Sequence, residues 1–173
     1  MTSRPIILIT AGYLLEFVVV IFFTRATSRR VVGAVAGGVV VSAIALGMIE
    51  LCEALGWWRV PLDSTPILLF LGLTISCSPI YLVTWRIARR FAWHGLAIFF
   101  AAVMVIGPPR DYLIAAKYPQ WMVFSPGIAP ILADAVAYAG IVVVGHVVMR
   151  LVAGPSSADR LARTLPVPNA LSS

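Results

Sequence analysis

Acidic residues interrupt otherwise apolar stretches of this sequence, and carboxyl groups in such places are the first candidates for chemistry. Glu50 and Glu53 lie near the end of one apolar stretch, and Asp134 lies near the beginning of another. A carboxylate in hydrocarbon costs about 2.5–3.5 kcal/mol, so such residues are usually functional. Burial beside like charges favours an uncharged carboxyl group at neutral pH, which can act as a general acid. We predict an acid–base cluster of these three residues.

Polar and aromatic residues at the same predicted depth extend this cluster. Glu50 and Asp134 lie about 8 and 9 Å below the same end of their helices, at 1.5 Å per residue. Tyr138 follows Asp134 by four residues and shares its helical face. The residues predicted to bind a substrate are Arg110, Asp111, Tyr138, Trp57 and Trp58. The structural alternative is an ion-pair network of Arg110 with these acids, which would hold the helices together.

Two further ionisable residues lie away from the predicted cluster and are assigned a relay or structural role. Glu16 is nearly central in the first apolar stretch, where it must be protonated or paired. His146 follows Asp134 by twelve residues, near the opposite end of the same stretch. A neutral histidine hydrogen-bonded to a neighbouring helix is the simpler interpretation, and proton transfer is the alternative.

The elements that must position these residues are membrane-spanning helices. The chain has 173 residues, of which 61% are hydrophobic and 12% charged, with a mean hydropathy of +0.98. Soluble domains are about 45–50% apolar and about 25% charged, so a soluble protein is excluded. We predict an all-α integral membrane protein, a single bundle over residues 1–155. The predicted spans are 5–23, 31–55, 66–85, 93–107 and 127–152, with the fourth ending at Pro108 or continuing to 116.

Basic residues set the predicted orientation of this five-helix bundle. Nine of the thirteen Lys and Arg residues fall within 24–30, within 86–95 and from 150 onward. Five spans place these three clusters on one side, which the positive-inside rule makes cytoplasmic. The N-terminus is then outside, and residues 156–173 form a flexible cytoplasmic tail. A multi-pass protein of a bacterial inner membrane is the expected localisation.

Small residues at a spacing of four predict close helix packing in the second span. Gly33 and Gly37 form one such pair, Gly38 and Ser42 a second, and Ala43 and Gly47 a third. Small residues at this spacing let helix backbones approach each other in lipid. Packing inside the bundle is favoured over a homodimer seam.

No sequence motif settles the function, and three hypotheses remain. The first is a subunit of a membrane complex or a protein that binds an apolar ligand. The second is a cofactor-independent enzyme that uses carboxylic acids on a lipid or isoprenoid-like substrate. The third is a component of proton-coupled transport.

The enzyme hypothesis has an architectural parallel but no transferable residues. The placement of acids near the ends of short helices resembles that in membrane lycopene cyclases and related carotenoid enzymes. The segment from Pro61 to Pro66 lacks the paired acids expected after such a proline, so no residue role is carried over.

The expected partners are membrane lipid, an apolar small molecule, and a membrane protein or a second copy of the chain. The basic clusters indicate topology and not nucleic-acid binding. With two histidines and no nucleotide-binding motif, neither a metal nor a cofactor is expected.

Overall fold

The computed structural model describes residues 4–61 and 65–155, with side chains from Leu8 onward, as helices and one pair of short strands. The predicted tail over 156–173 lies outside the described residues. The elements in chain order are α1 (Arg4–Thr24), α2 (Ser28–Ala54), β1 (Trp58–Arg59), α3 (Pro66–Lys117), β2 (Val123–Phe124) and α4 (Ile128–Ala153).

Three of the described helices are long and apolar enough to cross a membrane. These are α2, α3 and α4, judged by length and composition. The described apolar part of α1, Leu8–Thr24, is shorter. Since about 20 residues of helix cross a hydrocarbon core, the 52 residues of α3 exceed the need of a single crossing.

Proline and glycine mark the helix ends. Pro66 occupies the first turn of α3, where its missing N–H group has no helical partner to lose. Gly56, with φ of 70°, follows α2, and Gly154, with φ of 84°, follows α4. Positive φ is open to glycine at little cost, so the chain can leave the helix at these positions.

The long helix α3 is interrupted at Ala92, whose φ of 52° and ψ of −146° are not helical. We call residues 66–91 and 93–117 its first and second segments. Thr84 and Phe100, one from each segment, both contact the ring of His146. A straight helix would separate residues 84 and 100 by about 24 Å, so the chain doubles back at Ala92.

The break between the third and fourth predicted helices is therefore far shorter than predicted. The predicted connection over 86–92 is helical up to Ala92, including Arg86, Arg89 and Arg90. The second segment then continues through Pro108 and Pro109 to Lys117, beyond the predicted end at residue 107. Prolines are tolerated in such helices when neighbouring groups satisfy the freed carbonyls.

Small residues of α2 let this helix pack closely against α4 and α3 within the chain. A Cβ atom on Gly37 would lie 2.7 Å from the carbonyl oxygen of Gly145 in α4. A Cβ atom on Gly38 would lie 2.5 Å from the hydroxyl oxygen of Ser78 in α3. Tyr81 is fully buried at the centre of this core. The small-residue face at these positions is thus occupied by the chain itself.

Several of the basic residues gather at one end of the bundle. The guanidinium group of Arg29 donates a 3.2 Å hydrogen bond to the carbonyl oxygen of Val152. That of Arg86 donates one of 3.3 Å to the carbonyl oxygen of Thr24. Arg30 stacks over the ring of Trp85 at 3.7 Å. The ends of α1 and α4, the start of α2 and the reversal in α3 therefore lie together, at what we call the basic end.

The opposite end of the bundle is covered by the two short strands. Trp58 pairs with Phe124, and Arg59 with Val123, in an antiparallel register. The hydroxyl of Ser125 donates a hydrogen bond of 2.5 Å to the carbonyl oxygen of Gly56. We call β1, β2, Gly56, Trp57 and Ser125 the cap.

Candidate functional site

Asp134 is a deeply buried carboxyl group near the cap. It is 5% exposed and lies in the second turn of α4, about 9 Å along the helix from Ile128. Its Oδ2 atom is buried and accepts no hydrogen bond from any described residue. A buried polar group without a partner costs about 1–3 kcal/mol, and more when it is charged. Asp134 is therefore the central residue of the candidate site.

A second carboxyl group beside Asp134 is fully engaged by its neighbours. The hydroxyl of Tyr138 in α4 donates a 2.8 Å hydrogen bond to Oδ2 of Asp111 in α3. The Nε atom of Arg110 lies 4.0 Å from Oδ1 of the same carboxyl group. Asp134 lies within electrostatic range of all three residues. Two carboxyl groups thus share one neighbouring guanidinium group.

Close packing of α3 on α4 fixes the tyrosine in this arrangement. The ring of Tyr138 lies on Gly107, where a Cβ atom would approach the ring to 2.6 Å. Gly107 precedes Asp111 by one helical turn, so the same face of α3 receives both the ring and the hydroxyl. From the other side, Tyr13 of α1 lies within electrostatic range of Arg110. Three helices therefore contribute to the cluster.

Aromatic rings connect Asp134 to the cap. The ring of Tyr112 stacks on Phe124 with 4.1 Å between centroids, and Phe124 meets the edge of Trp58 at 5.8 Å. The Tyr112 hydroxyl and the Trp58 Nε1 atom are both buried and make no hydrogen bond with described residues. Asp134 lies within electrostatic range of Tyr112 and of the buried thiol of Cys52.

The unpartnered atoms include both hydrogen-bond acceptors and hydrogen-bond donors. Asp134 offers an acceptor, Trp58 offers a donor, and Tyr112 offers either. A hydroxyl group has both a proton to donate and lone pairs to accept, so it could bond to an acid and a donor together. These donor and acceptor types are ones that a hydroxyl group can satisfy.

The structure does not bring Glu50 and Glu53 to Asp134. Both side chains are exposed, and Glu53 accepts a 2.7 Å hydrogen bond from the backbone N–H of Val60. Ala43 and Gly47, which share a helical face with Glu50, are exposed as well, so this face does not pack into the bundle. The buried face of α2 instead contains Ala34, Gly38, Val41, Ser42 and Cys52.

The other predicted residues divide between the site and the rest of the bundle. Trp58 is buried at the site, whereas Trp57 contributes its backbone oxygen, which accepts a 2.9 Å hydrogen bond from the N–H of Ser125. Glu16 is exposed on α1. His146 is buried about 18 Å from Asp134 along α4, with its Nδ1 atom 2.9 Å from the Thr84 hydroxyl oxygen.

Three members of the site were missed by sequence reasoning: Tyr13, Tyr112 and Phe124. Tyr112 is of a residue type that usually serves as an interfacial anchor at a membrane boundary. The position of Tyr112 next to Asp111 could have indicated that it belongs to the site. Nothing in the sequence links Phe124 or Tyr13 to the site, because both contacts join distant parts of the chain.

Neither a metal centre nor a known relative explains the site. Among residues 4–61 and 65–155, no group of three or more His, Cys, Asp or Glu side chains is placed to hold a metal ion. Comparison of the chain with protein-family models, with curated proteins and with solved structures found no match.

Proposed function

We propose that this chain is a multi-pass membrane protein that binds the polar end of an apolar molecule beside Asp134, beneath the cap. The observation that carries the proposal is the buried Oδ2 atom of Asp134, which no described residue satisfies. The nearby Tyr112 hydroxyl and the Trp58 Nε1 atom are unsatisfied as well. Native proteins satisfy nearly all buried polar groups, so several such atoms in one region point to a bound group.

The proposed membrane topology has five crossings. It is supported by the reversal of α3 at Ala92 and by the path of α1 along α3, where Tyr13 meets Arg110 and Thr24 meets Arg86. We assign the basic end to the cytoplasm because of the positive-inside rule. The cap and Asp134 then face the outer leaflet, with the N-terminus outside and the C-terminus inside. An inner bacterial membrane is the proposed location.

The proposed ligand class is a neutral lipid or isoprenoid that carries a hydroxyl group. Its hydroxyl would donate to Asp134 and accept from Tyr112 or Trp58, while its hydrocarbon part would lie in the bilayer. Ile106, Leu113 and Val136 are exposed on α3 and α4 near the cluster and offer apolar surface for that part. An anionic head group is disfavoured because two carboxyl groups would repel it, whereas only one guanidinium group, that of Arg110, would attract it.

Entry of the ligand requires the cap to move, since the unsatisfied atoms are enclosed in the described structure. The two strands are joined over two residue pairs, and Ser125 adds two hydrogen bonds. A two-stranded ribbon of this size is marginally stable by itself. The cap is therefore the proposed entrance.

A second candidate function, acid catalysis on a double bond, is favoured by the presence of two neighbouring carboxyl groups in different surroundings. Asp111 is held by Tyr138 and Arg110, whereas Asp134 is not held. Such a difference separates a proton donor from a charge-stabilising carboxylate in many enzymes. A proton relay for transport receives less support, because Glu16 is exposed and His146 is distant.

The test is the lipid content of the purified protein. Wild type and the variants Asp134→Ala and Glu50→Gln are purified in mild detergent, and extracted lipids are measured by mass spectrometry. We expect one hydroxylated lipid near one molecule per chain in wild type and in Glu50→Gln, and at least a tenfold reduction in Asp134→Ala. Equal content in all three would overturn the proposal, provided that thermal unfolding shows all three to be folded.

The same preparation separates binding from catalysis. The extracted lipid is returned to wild-type protein in vesicles and followed over time. An unchanged lipid supports a binding protein, and an isomer or hydrate that Asp134→Ala does not form supports an enzyme. A protein that retains no lipid but co-purifies with a fixed partner would favour the complex-subunit hypothesis.

A further inference from the structure

Glu16 stands on an exposed face of α1, far from either end of the helix. It lies about 18 Å from Arg4 and about 12 Å from Thr24 along the helix axis, at 1.5 Å per residue. Thr24 is at the basic end, where its carbonyl oxygen accepts from Arg86. Farther along, Tyr13 contacts Arg110 near the site. Since α1 runs beside α3 between these levels, Glu16 lies within the apolar thickness of the bundle.

No described residue forms a hydrogen bond or an ion pair with this carboxyl group. The side of α1 that packs on the chain contains Phe17 and Thr24, which are buried against α3. Glu16 is directed about a quarter turn away from that side, as expected from 100° per residue. A carboxyl group in hydrocarbon is costly, and such groups pair with one another or with other polar groups. The partner of Glu16 is therefore to be sought outside the described chain.

A continuous strip of exposed residues surrounds Glu16. Gly12, Glu16, Val19 and Phe23 follow one another at spacings of four, three and four residues, which places them on one helical face. A Cβ atom on Gly12 would have no atom within 4 Å, so the backbone is open at this position. The strip thus combines a notch that admits a neighbouring helix with a polar group one turn away.

We propose that this strip is the interface of a homodimer, in which the Glu16 side chains of two copies bind each other. Copies of one protein insert in the same orientation, so a twofold axis perpendicular to the membrane brings equal depths together. Glu16 of one copy then lies at the same depth as Glu16 of the other copy, so no other polar residue is needed as its partner. A carboxyl group offers both an O–H donor and an acceptor oxygen, so two carboxyl groups can bond to each other. A foreign partner would need its own polar group at this depth.

The expected energy of such a contact is modest and measurable. Hydrogen bonds between helices in membranes correspond to a change of about 3- to 30-fold in association. Replacing Glu16 by Ala should therefore raise the dimer dissociation constant by about this factor. Glu16→Gln keeps a side chain that donates and accepts, so it should restore most of the affinity.

The first measurement is the dissociation constant in lipid vesicles, obtained from energy transfer between labelled copies as the protein-to-lipid ratio is varied. Wild type, Glu16→Ala, Glu16→Gln and Gly12→Leu are compared. Gly12→Leu fills the notch, and its Cβ atom would have no atom of the packed chain within 4 Å. We expect it to abolish dimers while leaving thermal unfolding of the monomer unchanged, which separates a lost interface from a lost fold.

The second measurement locates the interface by disulfide formation in membranes. Val19→Cys places a thiol on the strip, and Val18→Cys places one at the same depth about 100° around the helix. Cys52 and Cys77 of the native chain are buried. We expect an oxidant to cross-link Val19→Cys at least tenfold faster than Val18→Cys. Equal rates, or a wild type that remains monomeric at high protein-to-lipid ratios, would overturn the proposal.

Discussion

The hydrogen bond between Tyr138 and Asp111 offers the sharpest test of how the cluster is held. Tyr138→Phe removes the hydroxyl and keeps the ring that packs on Gly107. A hydrogen bond to a charged group contributes about 1.5–3 kcal/mol to stability. The donor–acceptor distance of 2.8 Å and the partial burial of both residues place this bond in that range. We expect the free energy of unfolding to fall by about 2 kcal/mol.

A double-mutant cycle isolates this bond from other effects of the substitutions. Tyr138→Phe, Asp111→Ala and the double variant are unfolded by denaturing detergent in mixed micelles, followed by circular dichroism. The interaction energy is expected to be about 1–2 kcal/mol, since residues in direct contact show such energies. Tyr118→Phe serves as the control, because its ring stacks on Trp121 and no described residue bonds to its hydroxyl. Additive effects of the two site variants, within about 0.3 kcal/mol, would refute the described geometry.

Three further changes test the fold around the site. Ala92→Gly should stabilise the protein by about 1 kcal/mol in the same unfolding assay, because glycine adopts a φ of 52° without strain; a loss of stability would contradict the reversal at this residue. Gly37→Ala should cost about 1–3 kcal/mol, because its Cβ atom would lie 2.7 Å from the Gly145 carbonyl oxygen; a neutral effect would contradict that close approach. Thr84→Val should cost about 1–3 kcal/mol by leaving Nδ1 of the buried His146 without its partner, and an unchanged unfolding midpoint would exclude that bond.

Local periodicity explains what the sequence could predict about the site. Asp134 and Tyr138 are one helical turn apart, and Gly107 and Asp111 have the same spacing. Such pairs share a face in any α-helix, so their neighbourhood follows from the sequence alone. The length of the apolar helices can likewise be predicted from the sequence, because each crossing of a membrane needs about 20 residues.

The orientation of each helix could not be predicted in the same way. A helix that is apolar on all sides has no polar face to show which side packs, and α2 carries small residues on two faces. The face with Gly33, Gly37 and Gly38 packs inside the bundle, whereas the face with Ala43 and Gly47 is exposed. The choice depends on the shapes of α3 and α4, and Glu50 is exposed on the same face as Ala43 and Gly47.

The reversal at Ala92 was also beyond sequence reasoning. Tight turns usually contain glycine, asparagine or proline, yet here an alanine adopts positive φ while Gly95 lies within the following helix. The sequence around it is rich in arginine, which suggested a longer connection. The helices instead extend up to the turn, so the reversal uses a single non-helical residue, Ala92.

The two aspartates of the site illustrate how structure and function separate within one cluster. Asp111 accepts a hydrogen bond from α4 and lies 4.0 Å from a guanidinium group of its own helix, so it has partners within the chain. Asp134 faces the aromatic residues below the cap and has no such partner for Oδ2. If Asp134 joined the helices, Asp134→Ala should destabilise the protein, whereas the loss of an unsatisfied buried group should be neutral or stabilising. Retained or increased stability of Asp134→Ala together with loss of bound lipid would therefore assign Asp111 to the fold and Asp134 to the ligand.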